Sequence, residues 1–150
     1  MSTITTPAGD PASHHGVRFG WRPDLPDHRD HMYSAPREAA GDLPPSVDMR
    51  AACPPVYDQG RIGSCTAQAI AAAVQFSRAA QLEAPDFVPS RLFIYFNERD
   101  MEGTVAYDAG AALRDGIKSV NHLGACPEGD WPYDDTPPAR DGDPFPPGAP

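Results

Sequence analysis

The chain has 150 residues, 19 of them proline, and a formal net charge of −9 at pH 7. This acidic balance, with Lys118 as the single lysine, leaves no basic surface for phosphate backbones, and we expect no nucleic-acid partner. The longest apolar run covers residues 69–74, whereas a helix needs about 20 apolar residues to cross a bilayer. The first 30 residues contain no apolar stretch of signal-peptide length. We therefore expect no membrane span and a cytoplasmic protein.

Aliphatic and aromatic core residues are unevenly distributed along the chain. Leu, Ile, Val and Phe account for 24 of the 150 residues, a low share for a folded protein. Residues 56–126 contain 17 of these 24, whereas 17 of the 19 prolines lie outside that range. The sequence therefore predicts an extended arm over 1–45, a folded unit over 46–134 and a disordered tail rich in Pro and Gly over 135–150.

The arm contains seven prolines and shows no apolar periodicity, which predicts extended chain. Apolar side chains are nevertheless spaced along it, an arrangement that suits a segment lying in a groove: Phe19, Trp21, Leu25, Met32 and Tyr33. After the arm, the short stretch 47–50 predicts a strand or an extended entry. Two glycines in 58–63 then predict a tight loop.

Three helices are predicted after this loop. The first begins at Cys65 with Ser64 as N-cap and runs to Leu82, and its apolar residues cover most of its circumference, so we expect it at the centre of the core. The second begins after the cap residue Ser90 and covers about 91–100. The third covers about 109–120, and four of its apolar residues form one stripe: Ala109, Leu113, Ile117 and Val120.

Cys65 is the residue to which the pattern assigns chemistry. It lies where a glycine-containing loop meets a helix N-terminus, and the free N–H groups and the helix dipole stabilise a thiolate there. Gln59 precedes it by six residues across the loop. Its side-chain amide, together with the backbone N–H of Cys65, could form an oxyanion hole, which suits acyl transfer.

Several segments of the chain resemble papain-family cysteine peptidases, particularly bacterial members. The segments are LPPSVDMR, DQGRIGSCTA, PSRLFIYFNERDMEG, DAGAALRDGIKSV and EGDWPYD, and together they fall within residues 43–134. The resemblance implies an α+β papain-like fold, of which this chain covers mainly the helical left half. It assigns Cys65 as the nucleophile and Gln59 as the oxyanion donor. It also implies that Gly63, Ser64 and Gly110 line the substrate cleft.

The implied activity is hydrolysis of peptide bonds in a peptide or protein substrate through a thioester acyl-enzyme, with no cofactor and no metal. The chain departs from the family pattern in three respects. Thr66 replaces the aromatic residue that follows the family's cysteine, and Ala109 replaces the first glycine of the cleft pair. The family's His and Asn come about 130–150 residues after the cysteine, beyond Pro150, so we expect little turnover from this chain alone.

Other interpretations remain open at the level of sequence. The chain could be a non-catalytic papain-like half that binds a partner, for example a complementing carboxy-terminal half. The arm could cover the cleft as an inhibitory segment. Cys53 and Cys126 are interpreted as structural thiols, with a bridge between them as the lesser alternative. His122 could act as a substitute base, although its place at a helix C-terminus already explains a histidine there. The arm histidines could bind a metal, although no helix is predicted to present them.

Overall fold

The computed structural model describes residues 20–32, 34, 36, 41, 43–81 and 87–136. Three helices form its body: α1 over Cys65–Ala80, α2 over Arg91–Met101 and α3 over Leu113–Leu123. Two short strands, β1 (Trp21–Arg22) and β2 (Ala111–Ala112), pair in parallel with Trp21 opposite Ala111. The observed architecture is mainly helical with a small sheet. The positions of Phe19, Tyr33, Leu82 and residues 137–150 lie outside the described residues.

The core lies where the first turns of α1 meet α2. Its members are buried side chains from the loop before α1, from α1 and from α2: Ile62, Ala67, Ile70, Ala71, Leu92, Ile94 and Tyr95. Leu113 and Val120 of α3 pack against this cluster. Burial of a Leu or Ile side chain contributes about 1.5–3 kcal/mol relative to exposure, so Ile62, Leu92 and Ile94 each stabilise the folded state.

The prediction that α1 is central and apolar all round is only partly confirmed. The helix begins at Cys65 as predicted and packs against both other helices. One face, however, carries Ala69 and Ala73, which are exposed in the described part of the chain. The helix is therefore buried along one side and leaves an apolar face uncovered on the other.

Helix α2 confirms the predicted start and cap. The Ser90 side chain accepts a hydrogen bond from the Phe93 backbone N–H at 3.1 Å, so it satisfies a donor that the helix leaves unpaired. The buried residues of the helix are Leu92, Ile94, Tyr95, Glu98 and Arg99. Phe93 and Phe96 are half-buried because they pack against Trp131.

Helix α3 begins later than predicted, at Leu113 rather than near Ala109. Gly110 has a φ of 67°, which a helix does not accept, and Ala111–Ala112 are drawn into the strand pairing with β1. The predicted apolar stripe is wrong at two positions, since Ala109 precedes the helix and Ile117 is 60% exposed. Gly124, with a φ of 74°, follows Leu123 and ends the helix.

The segment 47–50 was predicted as a strand or extended entry, and the strand prediction is wrong. A short 3₁₀ helix occupies Arg50–Ala52 instead. Asp48 favours this turn because its carboxylate accepts the Arg50 backbone N–H at 3.0 Å and also binds the Arg50 guanidinium. The local Asp-to-backbone bond therefore decides the conformation.

Candidate active site

Cys65 is the first residue of α1, and its side chain is half-buried. It borders two surface grooves. The smaller, of about 360 Å³, is shared with Trp21, Thr66 and Leu113. The larger, of about 540 Å³, extends past Tyr57 to Phe76. A thiol at a helix N-terminus that opens onto a groove is placed to meet an extended ligand.

Gln59 lies in the loop that leads to this helix, the nucleophile loop (residues 58–64). Its side-chain amide donates a hydrogen bond to the Ile62 carbonyl at 3.0 Å. Ile62 is fully buried, so this bond attaches the glutamine side chain to the core end of the loop. The structure therefore brings the two predicted catalytic residues into one tight loop and its following helix.

Gly63 and Ser64 immediately precede the cysteine. The Gly63 backbone N–H donates to both carboxylate oxygens of Asp108, at 2.9 and 3.1 Å. Ser64 is the N-cap residue of α1 by position, but its side chain makes no capping bond to the helix backbone. Its hydroxyl instead lies 2.6 Å from the Tyr133 hydroxyl and accepts from the Gln68 amide at 3.1 Å.

Gly110 is buried beside the arm. The Gly20 carbonyl of the arm accepts the Ala111 N–H at 2.9 Å, and the Gly110 N–H donates to the Tyr95 hydroxyl at 3.1 Å. A Cβ at Gly110 would lie 2.5 Å from the Cα of Gly20, closer than real structures allow. The backbone edge that the resemblance associates with substrate is therefore in contact with the arm.

Three residues around the loop were missed as site residues by sequence reasoning: Tyr95, Asp108 and Tyr133. Asp108 receives the Tyr95 hydroxyl at 2.5 Å as well as the Gly63 N–H. Burial, together with the bond to Asp108, raises the pKa of Tyr95, which keeps the phenol protonated. No local pattern identifies Asp108, because its partners lie 45 and 13 residues away. Tyr133 belongs to the WPY motif, but the motif alone assigns it no contact.

Thr66, which stands where the family carries an aromatic residue, contacts a buried carboxyl group. Its hydroxyl donates to Glu98 at 2.5 Å, and both residues are almost completely buried. Burial raises the pKa of Glu98 to about 8, because it outweighs the bond from Thr66 and the charge of Arg99, which both lower the pKa. A buried polar pair thus lies directly behind the nucleophile in the chain, at the second position of α1.

The arm is attached to the body by charged side chains as well as by β1. Arg22 forms an ion pair with Glu102. Arg114 at the start of α3 binds Asp30 through two bonds of 2.7 and 2.8 Å, and its backbone N–H donates to Asp24 at 3.2 Å. Hydrogen bonds from Arg114 lower the pKa of Asp30.

The remaining predicted features are placed as follows. All three cysteines are free thiols, and Cys53 is exposed. His28, His31 and His122 are exposed. Within the described ranges, no three His, Cys, Asp or Glu side chains converge on a metal site. No helix in the same ranges is long and apolar enough to span a membrane.

The helical body, the cysteine at the start of α1 and the preceding glutamine loop define a papain-like cysteine protease fold. Over 89% of this chain and 50% of the other, the structure matches xylellain, a cysteine protease from Xylella fastidiosa, with a TM-score of 0.76 and 54% identity. An uncharacterized peptidase C1-like protein of Acanthamoeba polyphaga mimivirus is 52% identical over 77 residues, which are 51% of this chain and 25% of that protein. No protein-family profile matches.

The comparisons confirm the resemblance of this chain to papain-family cysteine peptidases. The chain spans about half the length of the xylellain chain and a quarter of the length of the viral relative. The particular residues assigned to the site and the bacterial origin stay predictions.

Proposed function

We propose that this chain supplies the nucleophile of a cysteine peptidase that hydrolyses peptide bonds. The Cys65 sulfur attacks the carbonyl carbon of the substrate, and Gln59 and the Cys65 N–H stabilise the oxyanion. Collapse of this intermediate forms a thioester and expels the amine, which takes a proton from a general acid. Water then cleaves the thioester and restores the thiol. The position of Cys65 at the start of α1, on the groove behind the Gln59 loop, carries this proposal.

A peptide epoxide tests the proposal, because the chain contains an internal control. Cys53 is more exposed than Cys65, so labelling governed by accessibility alone would favour Cys53. We expect the epoxide to modify Cys65 first, as located by mass spectrometry of digested protein, and Cys65→Ser to abolish this fast labelling. Cys53→Ser and Cys126→Ser serve as matched controls that keep it. Equal labelling of all three thiols in the folded chain would contradict the proposal.

The same proposal includes the arm as a segment that covers the cleft. Trp21 lines the small groove that contains Cys65, and the Gly20 carbonyl accepts the Ala111 N–H of strand β2. A peptide substrate lying along that edge would compete with the arm. Deleting residues 1–32 is therefore expected to increase the rate of epoxide labelling at Cys65. An unchanged rate would exclude a covering role.

A second candidate is a non-catalytic binding half, and the uncovered face of α1 favours it. Ala69 and Ala73 line two grooves of about 540 Å³ each, one towards Phe76 and one towards Ile117. Apolar surface of this extent is typical of a site that another domain covers. The occupant we propose is a complementing papain-like carboxy-terminal half.

Association with such a half can be measured with the separately produced domain of xylellain. Ala73→Arg is expected to abolish binding in calorimetry, whereas Ala80→Arg, at the exposed end of α1, is expected to leave it intact. Unchanged binding with Ala73→Arg, or loss of binding with Ala80→Arg, would contradict a site on this face. An assembled complex without peptide hydrolysis would favour the binding function over the peptidase.

A further inference from the structure

A directed chain of hydrogen bonds ends on the nucleophile loop. We propose that Tyr133 is a positioning residue, whose hydroxyl closes this chain and sets the geometry of the loop between Gln59 and Cys65. The inference rests on the proposed function, since it concerns the loop that would hold the oxyanion. Tyr133 itself touches no reacting atom in this proposal.

The direction of the chain follows from counting hydrogens. The Tyr133 hydroxyl has one hydrogen, and it donates to the Gln59 carbonyl at 2.8 Å. The 2.6 Å bond to Ser64 must therefore use the Ser64 hydrogen, with the Tyr133 oxygen as acceptor. The Gln68 amide in turn donates to the Ser64 oxygen at 3.1 Å. Every hydrogen points towards Gln59, an arrangement in which neighbouring bonds strengthen one another.

The start of the chain is a charged and stacked side chain. Arg91 donates to the Gln68 carbonyl oxygen at 3.4 Å, and its guanidinium lies over the Tyr133 ring at 4.1 Å from the centroid. Glu128 binds Arg91 at 2.6 Å and also accepts the Tyr133 backbone N–H at 2.8 Å. Both the ring and the backbone of Tyr133 are thereby held in place. Burial raises the pKa of Tyr133, so the hydroxyl keeps its hydrogen at neutral pH.

The tyrosine lies in a segment that crosses the loop, the strap (residues 126–136). The strap begins beside α2, where the Ser90 N–H donates to the Cys126 carbonyl at 2.8 Å. It ends beside the loop, where the Arg61 N–H donates to Asp135 at 3.2 Å. The Tyr133 hydroxyl oxygen therefore links Gln59, which would supply the oxyanion donor, to Ser64, which precedes the nucleophile. Without it, the loop keeps the bonds of the Arg61 N–H to Asp135 and of the Gly63 N–H to Asp108, but neither of these fixes Gln59 relative to Ser64.

A peptide aldehyde and a small alkylating agent separate positioning from general stability. The aldehyde forms a hemithioacetal with Cys65: the sulfur bonds to the carbonyl carbon, and the thiol proton moves to the new oxygen. That oxygen occupies the position of the oxyanion, so its affinity reports the loop geometry. Iodoacetamide forms an S–C bond with release of iodide and needs no oxyanion donor. Tyr133→Phe is expected to weaken aldehyde binding about tenfold, less than direct loss of an oxyanion donor, while alkylation of Cys65 changes by less than about twofold.

Tyr107→Phe is the matched control, because it removes the same hydroxyl from an exposed tyrosine that lines neither groove beside Cys65. It is expected to leave aldehyde affinity unchanged. Ser64→Ala breaks the chain at its middle and is expected to act in the same direction as Tyr133→Phe. Melting temperatures confirm that the variants are folded.

The outcomes separate the two claims. Aldehyde binding by Tyr133→Phe equal to that of the unmodified chain would overturn the inference and leave the proposed function standing. Equal losses of aldehyde affinity and alkylation rate would also overturn it, since they would indicate general loosening. If the unmodified chain bound no aldehyde and showed no preferential labelling of Cys65, the proposed function itself would fail, and this inference with it.

Discussion

Two segments far apart in sequence lie against the nucleophile loop, and they are held by different interactions. The strap contributes Trp131 and Tyr133, whose rings are half-buried, and Glu128, whose ion pair with Arg91 is largely buried. The described arm, residues 20–32, is held by two-residue strand pairing and by ion pairs with exposed members. Water screens exposed ion pairs, whereas a buried hydrogen bond that is lost leaves an unsatisfied group. The strap is thus part of the folded body, and the arm is a separable layer.

The strongest test of this comparison substitutes the only two tryptophans in the sequence. Trp131 packs edge-on against Phe93, with ring centroids 6.5 Å apart, and lies 5.9 Å from Phe96, whereas Trp21 is 54% exposed. Trp131→Ala is expected to lower the free energy of unfolding by about 2–4 kcal/mol, and Trp21→Ala by less than about 1 kcal/mol. Urea denaturation measures both. Equal losses of unfolding free energy would show that the arm stabilises the folded state as much as the strap does.

Ionisation of Glu98, the buried carboxyl that binds Thr66, is expected to have an intermediate effect on the free energy of unfolding. Glu98 has a pKa of about 8 in the folded chain, against an ordinary value of 4.5. Between these values the folded state retains a proton that the unfolded chain has released, so the free energy of unfolding falls as pH rises through this window. Glu98→Gln keeps an oxygen for Thr66 and cannot ionise.

At pH 8.5 we expect Glu98→Gln to be about 1–3 kcal/mol more stable than the unmodified chain, with little difference near pH 4.5. Thermal denaturation across pH 4.5–8.5 measures the change. Asp100→Asn, which alters an exposed carboxyl on the same helix, is the matched control and should keep the original pH slope. The same slope in all three proteins would contradict a neutral Glu98.

The carboxyls of the arm should respond to pH with the opposite sign. The hydrogen bond from Arg29 lowers the pKa of Asp27 to about 2, and bonds from Arg114 lower that of Asp30. A carboxyl with a lowered pKa stabilises the folded state above its ordinary pKa of 3.8, and this stabilisation is lost as pH falls through the pKa of the folded state. The attachment of the arm through Asp30 is therefore expected to weaken in acid. The folded body shows the opposite trend, because Glu98 is protonated there at low pH.

The smallest effect is expected at the ionic contact between arm and body. Arg114→Gln removes the pair with Asp30, whereas Arg29→Gln removes a pair confined to the arm, with Asp27. In a Trp131→Phe background, acrylamide quenching reports Trp21 alone. We expect Arg114→Gln to increase quenching by up to about twofold and Arg29→Gln to leave it unchanged. Equal quenching in the Arg114→Gln and Arg29→Gln variants would indicate that backbone pairing alone attaches the arm.

Sequence patterns predicted the features that depend on near neighbours. The starts of α1 and α2 follow from a cap position and an uninterrupted apolar pattern, and the glutamine and cysteine spacing follows from one short motif. The start of α3 was misplaced because Ala111 pairs with Trp21, 90 residues away. Asp108 and Tyr133 were missed as site residues for the same reason, since each acquires its function through contacts that only the fold creates.

The contact of Gly20 with Gly63 and Gly110 joins main chain to main chain. A Cβ on Gly20 would lie 2.7 Å from the Gly110 Cα, and one on Gly110 would lie 2.5 Å from the Gly20 Cα. Any residue larger than glycine at either position would push the arm off the body. Because no side chain takes part, the chemical character of the neighbouring arm residues can change without altering this junction. The register of the arm at this junction is thus encoded by the absence of a methyl group on each of two glycines, Gly20 and Gly110.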